Sequence, residues 1–193
     1  LLPWILNHFA ATAALIVRHP AAVADSQLRF IEHWKPDARL ARILESEHIR
    51  EAYKHQLDRV DSKRLSTFGR LVTIWCIENA IPVKMSQSLG YTTVFYEDLK
   101  NDYPSAWRHL TDALGLPNIP EESSILRPSQ QSSLRWQQKD GIGGQLDPAA
   151  WRRRLGATEK SEFEYILGLF EIDYYEWDSD RPSSFDRLGP AGG

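Results

Sequence analysis

The constraint that most narrows the fold lies between Ala13 and Trp34. Leu15-Ile16-Val17 is a short β-branched apolar run, and Arg18, His19 and Pro20 come directly after it. A run of that length and composition reads as a buried parallel strand. Pro20 suits the first turn of a helix, because proline lacks an amide hydrogen and its φ is fixed near the helical value. Val23, Phe30, Ile31 and Trp34 then recur at helical spacing, so the helix is expected to run on to Trp34. The segment therefore predicts strand, tight turn and helix, with a cation at the turn and the hydroxyl of Ser26 in the helix beyond. In open α/β sheets ligands bind at the carboxyl ends of strands, and helix N-termini favour anions. A guanidinium at that point is suited to bidentate contact with a phosphate. Read singly, Arg18 serves equally as a surface ion-pair partner, and Ser26 as a solvated helix residue.

A second strand is expected over Tyr91–Phe95, running into Tyr96-Glu97-Asp98-Leu99. Read as strand residues, Glu97 and Asp98 point to opposite faces and cannot share one reacting atom. They are expected to end the strand and cap the next element. Pro104 to Leu114 forms a helix through Trp107, Leu110 and Leu114, and Gly115 stops it.

Other helices are expected from periodicity. Leu1 to Phe9 reads as a short helix with His8 at its end. Leu40 to Val60 is a charged surface helix broken near Ser46, and Ser62 to Asn79 is a stronger one that Ser62 caps. Trp75 and Cys76 in the latter read as core. From Pro117 to Pro148 the chain turns to Ser, Gln, Pro and Gly, a long loop. Trp151, Leu155, Phe163, Ile166, Leu167 and Phe170 close the domain. The organisation expected is one domain over residues 1–177 and a disordered tail over 178–193.

Composition excludes several classes. The net charge of −3 argues against a nucleic-acid binder that neutralises many phosphates. The single cysteine, Cys76, allows no internal disulfide and no cysteine metal cluster. No metal-ligand spacing is present. No apolar run approaches the roughly 18 residues of a membrane span, and no signal-peptide pattern opens the chain. A cytoplasmic location, without nucleic-acid or membrane partners, is the expectation.

Val17-Arg18-His19-Pro20 with Ser26 resembles the 3′-phosphate-binding motif of sulfotransferases that use 3′-phosphoadenosine 5′-phosphosulfate. Phe95-Tyr96-Glu97-Asp98-Leu99, with Asp102, Pro104 and Leu114-Gly115 after it, resembles a second segment of that family. Lys139, Gly141 and Gly144 resemble its late basic and glycine-rich loop, with one residue inserted; a plain connector is the other reading. The resemblance spans Leu1 to Tyr175. It implies an α/β fold with a P-loop-NTPase-like, three-layer parallel sheet flanked by helices, incomplete at its N-terminus. It implies that Arg18 and Ser26 hold the 3′-phosphate, that Tyr96 approaches the nucleotide, and that a small-molecule or glycan hydroxyl or amine accepts the sulfuryl group. The family's Ser/Thr-Gly-rich loop, its lysine and its catalytic base have no counterpart in the seventeen residues before Arg18. Because Leu1 is not an initiator, the chain is expected to begin within a longer reading frame that carries them. The alternative expectation is a non-catalytic nucleotide- or partner-binding module that keeps the fold without the loop.

Overall fold

The computed structural model describes residues 2–9, 11–61, 64–116, 150–179 and 182–183. Its strands are β1 (Ala14–Val17) and β2 (Thr92–Phe95). Between them lie α2 (Pro20–Leu28), α3 (Ile31–Trp34), α4 (Pro36–Glu45), α5 (Glu47–Ala52), α6 (Lys54–Leu57) and α7 (Thr67–Leu89), and α1 (Leu2–Phe9) precedes them. After β2 come α8 (Tyr96–Asn101), α9 (Tyr103–Ala113), a 3-10 turn (Ala150–Arg153) and α10 (Ala157–Leu169). The fold is mixed α/β and mostly helical. Among the described residues the sheet has two parallel strands, with Ala14 opposite Thr92 and Val17 opposite Phe95. Parallel pairing requires a crossover, and helices α2 to α7 supply it.

Helix α7 is the backbone of the core. It packs on α2, α4 and α10 and touches both strands, and Phe68, Leu71, Val72, Ile74, Trp75 and Cys76 along it are buried. Here the sequence expectation needs correcting at both ends. The N-cap is Ser66, whose hydroxyl accepts the Gly69 N–H at 3.1 Å; Ser62 lies outside the described residues. Glu162 of α10 accepts the Ser66 N–H at 2.8 Å and also the Ser66 hydroxyl. The helix then runs past Asn79 and through Pro82 to Leu89, where Gly90 at φ +70° and a Tyr91 N–H to Ser86 carbonyl bond close a Schellman turn.

Proline inside a helix disturbs the ladder one turn back, and here a side chain fills the disturbance. The Tyr53 hydroxyl donates to the Ile77 carbonyl at 2.9 Å and accepts from the Ile81 N–H at 3.2 Å. Tyr53 is therefore buried, although its segment reads as surface in the sequence. The expected break at Ser46 is present, as the C-cap of α4. The helix expected to reach Trp34 instead stops at Leu28, because Phe30 leaves helical geometry at φ −128°, ψ 39°. Helix α9 ends as expected, on Gly115 at φ +65°.

No described helix is long and apolar enough to cross a membrane. The expected 117–148 loop, with Lys139, Gly141 and Gly144, lies outside the described residues, as does most of the expected tail. Within that tail Pro182 is buried, and Ser183 donates its N–H to the Tyr174 carbonyl at 3.0 Å and its hydroxyl to the Asp173 carbonyl at 2.8 Å.

Candidate anion-binding site at the strand ends

Register places the site. Val17 and Phe95 are partners at the carboxyl ends of the two strands, so the next residue of each, Arg18 and Tyr96, leave the sheet side by side. The Arg18 guanidinium lies over the Tyr96 ring, 5.0 Å from its centroid. Such a contact is worth about 0.5–1 kcal/mol at exposed sites and more when desolvated. Both side chains are half-buried. Arg18 makes no ion pair within 4 Å among the described residues, and its charge is felt by the carboxylate of Glu97, described below.

Two of the three sequence-predicted site residues are thus brought together. Ser26 is half-buried in α2, six residues beyond Pro20 and so about 9 Å further along the helix axis. It makes no side-chain hydrogen bond with Arg18 or Tyr96.

The turn itself is built by His19, to which the sequence alone assigns no role. His19 is 2% exposed. Its Nδ1 accepts the Ala21 N–H at 3.2 Å, which makes it the N-cap of α2. With Nδ1 an acceptor, the proton sits on Nε2, which donates to the Glu176 carbonyl at 3.1 Å. The ring stacks on Trp151 and Phe163, at 4.7 and 5.3 Å between centroids, and meets the edge of Tyr175 at 4.9 Å. Burial, and to a smaller extent the charges of Arg152 and Arg18, push its pKa down to about 4, so the ring is neutral near pH 7. Since His19 caps the helix, the charge available to an anion comes from Arg18. A histidine immediately before a proline at N1 is the local signal for this cap.

Glu97 requires a further correction. It lies on helix α8 and not on a strand, because acidic residues directly after Phe95 favour the first turn of a helix. Its side chain is buried, at 4% exposure. One carboxylate oxygen accepts the His19 N–H at 2.8 Å and the other accepts the Tyr175 hydroxyl at 3.0 Å. Burial raises its pKa, against the opposing pull of these bonds and of Arg18. Both oxygens accept from neutral donors, so the carboxylate acts on the neighbouring guanidinium through the field between their charges and not through a hydrogen bond. No sequence periodicity announces a contact of this range.

A chain with this arrangement can present one fixed cation beside an aromatic face at the ends of parallel strands. Among the described residues no group of three metal-ligating side chains gathers. No protein-family model, curated protein or solved structure matches the chain.

Proposed function

We propose that the protein is a sulfotransferase that uses 3′-phosphoadenosine 5′-phosphosulfate, with this chain supplying the part that binds the 3′-phosphate. The observation that carries the reading is the meeting of Arg18 and Tyr96 at the carboxyl ends of paired parallel strands. Those are the residues that the two resembling motifs single out, 78 positions apart in the chain. The residues fit the group: Arg18 is half-buried and without an ion pair among the described residues, as a phosphate ligand requires.

In this reading Arg18 donates charge-assisted hydrogen bonds to phosphate oxygens. Tyr96 holds the guanidinium by its ring face and limits its rotamers. Ser26 adds a hydroxyl donor from α2. The three-layer sheet of that family is part of the proposal. The nucleotide, when bound, supplies the activated sulfuryl group. The chain's described residues contribute binding and orientation, which turn an encounter into a positioned reaction. A small-molecule or glycan hydroxyl or amine is the proposed acceptor.

Calorimetric titration with adenosine 3′,5′-bisphosphate tests this directly. Saturable binding is expected, and Arg18→Ala should weaken it by about 2 kcal/mol or more through the lost charged contact. A folded chain that shows no saturable binding, or binding indifferent to Arg18→Ala, overturns the reading.

A further inference from the structure

We propose that Glu97 is a positioning residue for Arg18, holding the turn that aims the guanidinium across Tyr96; its consequence for ligand binding rests on the nucleotide reading above. Three features carry this. Glu97 accepts the backbone N–H of His19, the residue next to Arg18, so it fixes the peptide on which Arg18 turns. It sits one residue beyond Tyr96, so the same short segment holds both partners of the cation–π contact. It is itself held by the Tyr175 hydroxyl, and Tyr175 packs edge-on against His19, Phe95 and Trp75. A carboxylate beside an anion site weakens anion binding if it acts through charge alone. Glu97 also commits its two acceptor oxygens to the His19 amide and the Tyr175 hydroxyl, a role that charge alone does not fill.

Glu97→Gln and Glu97→Ala remove the same charge and separate the two roles. The Gln carbonyl accepts the His19 N–H, and its amide donates to the Tyr175 oxygen; Ala does neither. The first readout needs no ligand. In arginine-labelled protein the Arg18 Nε–H resonance, assigned by its loss in Arg18→Lys, should be displaced by the Tyr96 ring and should return towards the random-coil position in Tyr96→Leu. Glu97→Gln should keep the displacement and Glu97→Ala should lose it. A displacement unchanged in a folded Glu97→Ala overturns the proposal. Should Glu97→Ala not fold, Tyr175→Phe removes one anchor only. A partial loss of displacement is then expected, and none overturns the proposal.

The second readout is titration with adenosine 3′,5′-bisphosphate. Glu97→Gln should bind as tightly as the parent chain or more tightly, and Glu97→Ala at least about tenfold more weakly. Glu97→Ala binding as tightly as Glu97→Gln would show a charge effect alone and overturn the proposal. A parent chain that shows the displaced resonance but binds no bisphosphate refutes the nucleotide reading and leaves the positioning role standing.

Discussion

Arg154 grips Asp25 with two parallel hydrogen bonds, Nε to Oδ1 at 2.9 Å and a terminal nitrogen to Oδ2 at 2.5 Å. The pair fastens the end of the 3-10 turn to α2, beside Ser26. Asp25 is buried and Arg154 partly exposed, so the carboxylate depends on its partner for solvation. Arg154→Ala should cost about 2–4 kcal/mol in urea unfolding, because it leaves a buried charge unpaired. Asp25→Ala in the same background should recover part of the loss. A coupling energy below about 0.5 kcal/mol in that double-mutant cycle would reduce the pair to an ordinary surface contact.

Tyr96→Leu separates the ring face from the rest of the site. Bisphosphate affinity should fall about two- to fivefold, the worth of one partly exposed cation–π contact, and the melting temperature should barely move. A loss as large as that of Arg18→Ala would mean that Tyr96 touches the nucleotide directly.

His19 makes stability depend on pH. Its folded pKa of about 4 lies below the unfolded value of 6.5. Between those values the unfolded chain holds the extra proton, so stability is lost as pH falls from about 6.5 to about 4, by on the order of 3 kcal/mol. Glu97 acts in the opposite sense. Its raised pKa favours the protonated folded state just above 4.5, and its contribution declines as pH rises there. His19→Asn keeps a side-chain cap for α2 and leaves Glu97 in place, so the difference between the two unfolding curves isolates His19. A difference independent of pH would contradict the assignment.

Tyr53→Phe should cost about 1–3 kcal/mol, because it strands the Ile77 carbonyl and the Ile81 N–H on either side of one missing hydroxyl. Amide exchange should speed up selectively around Ile81. Uniform faster exchange along all of α7 would instead indicate a global effect.

Local chemistry is legible in the sequence and long-range chemistry is not. Leu15-Ile16-Val17 announces β1, although Ile16 is exposed and the strand is not fully buried as its composition suggests. Gly115 announces the end of α9, and the register of the strand ends sets Arg18 beside Tyr96. The failures share a cause. Ser66 caps α7 with help from Glu162, 96 residues away, so the nearby Ser62 reads as equally suitable. Tyr53 enters the α7 ladder because Pro82 disturbs it, a partnership that crosses 24 residues. Glu97 and Asp98 read as strand residues because β2 runs directly into α8 with no intervening loop. Periodicity reports which face of an element is buried. It carries no information on which distant polar group completes a turn.

The Glu176 carbonyl that receives the His19 Nε2 proton lies 157 residues further along the chain, and Tyr175 anchors Glu97 from the same stretch. This separation sets an order of assembly. A growing polypeptide can pair β1 with β2 once Phe95 has emerged, but the turn carrying Arg18 has neither its aromatic bed nor its second anchor until the Tyr175-Glu176 segment arrives. Contacts of such separation form late. The turn carrying Arg18 is therefore completed only once the Tyr175-Glu176 segment has been made, and a nascent chain stopped before Glu176 would carry the paired strands without a finished turn.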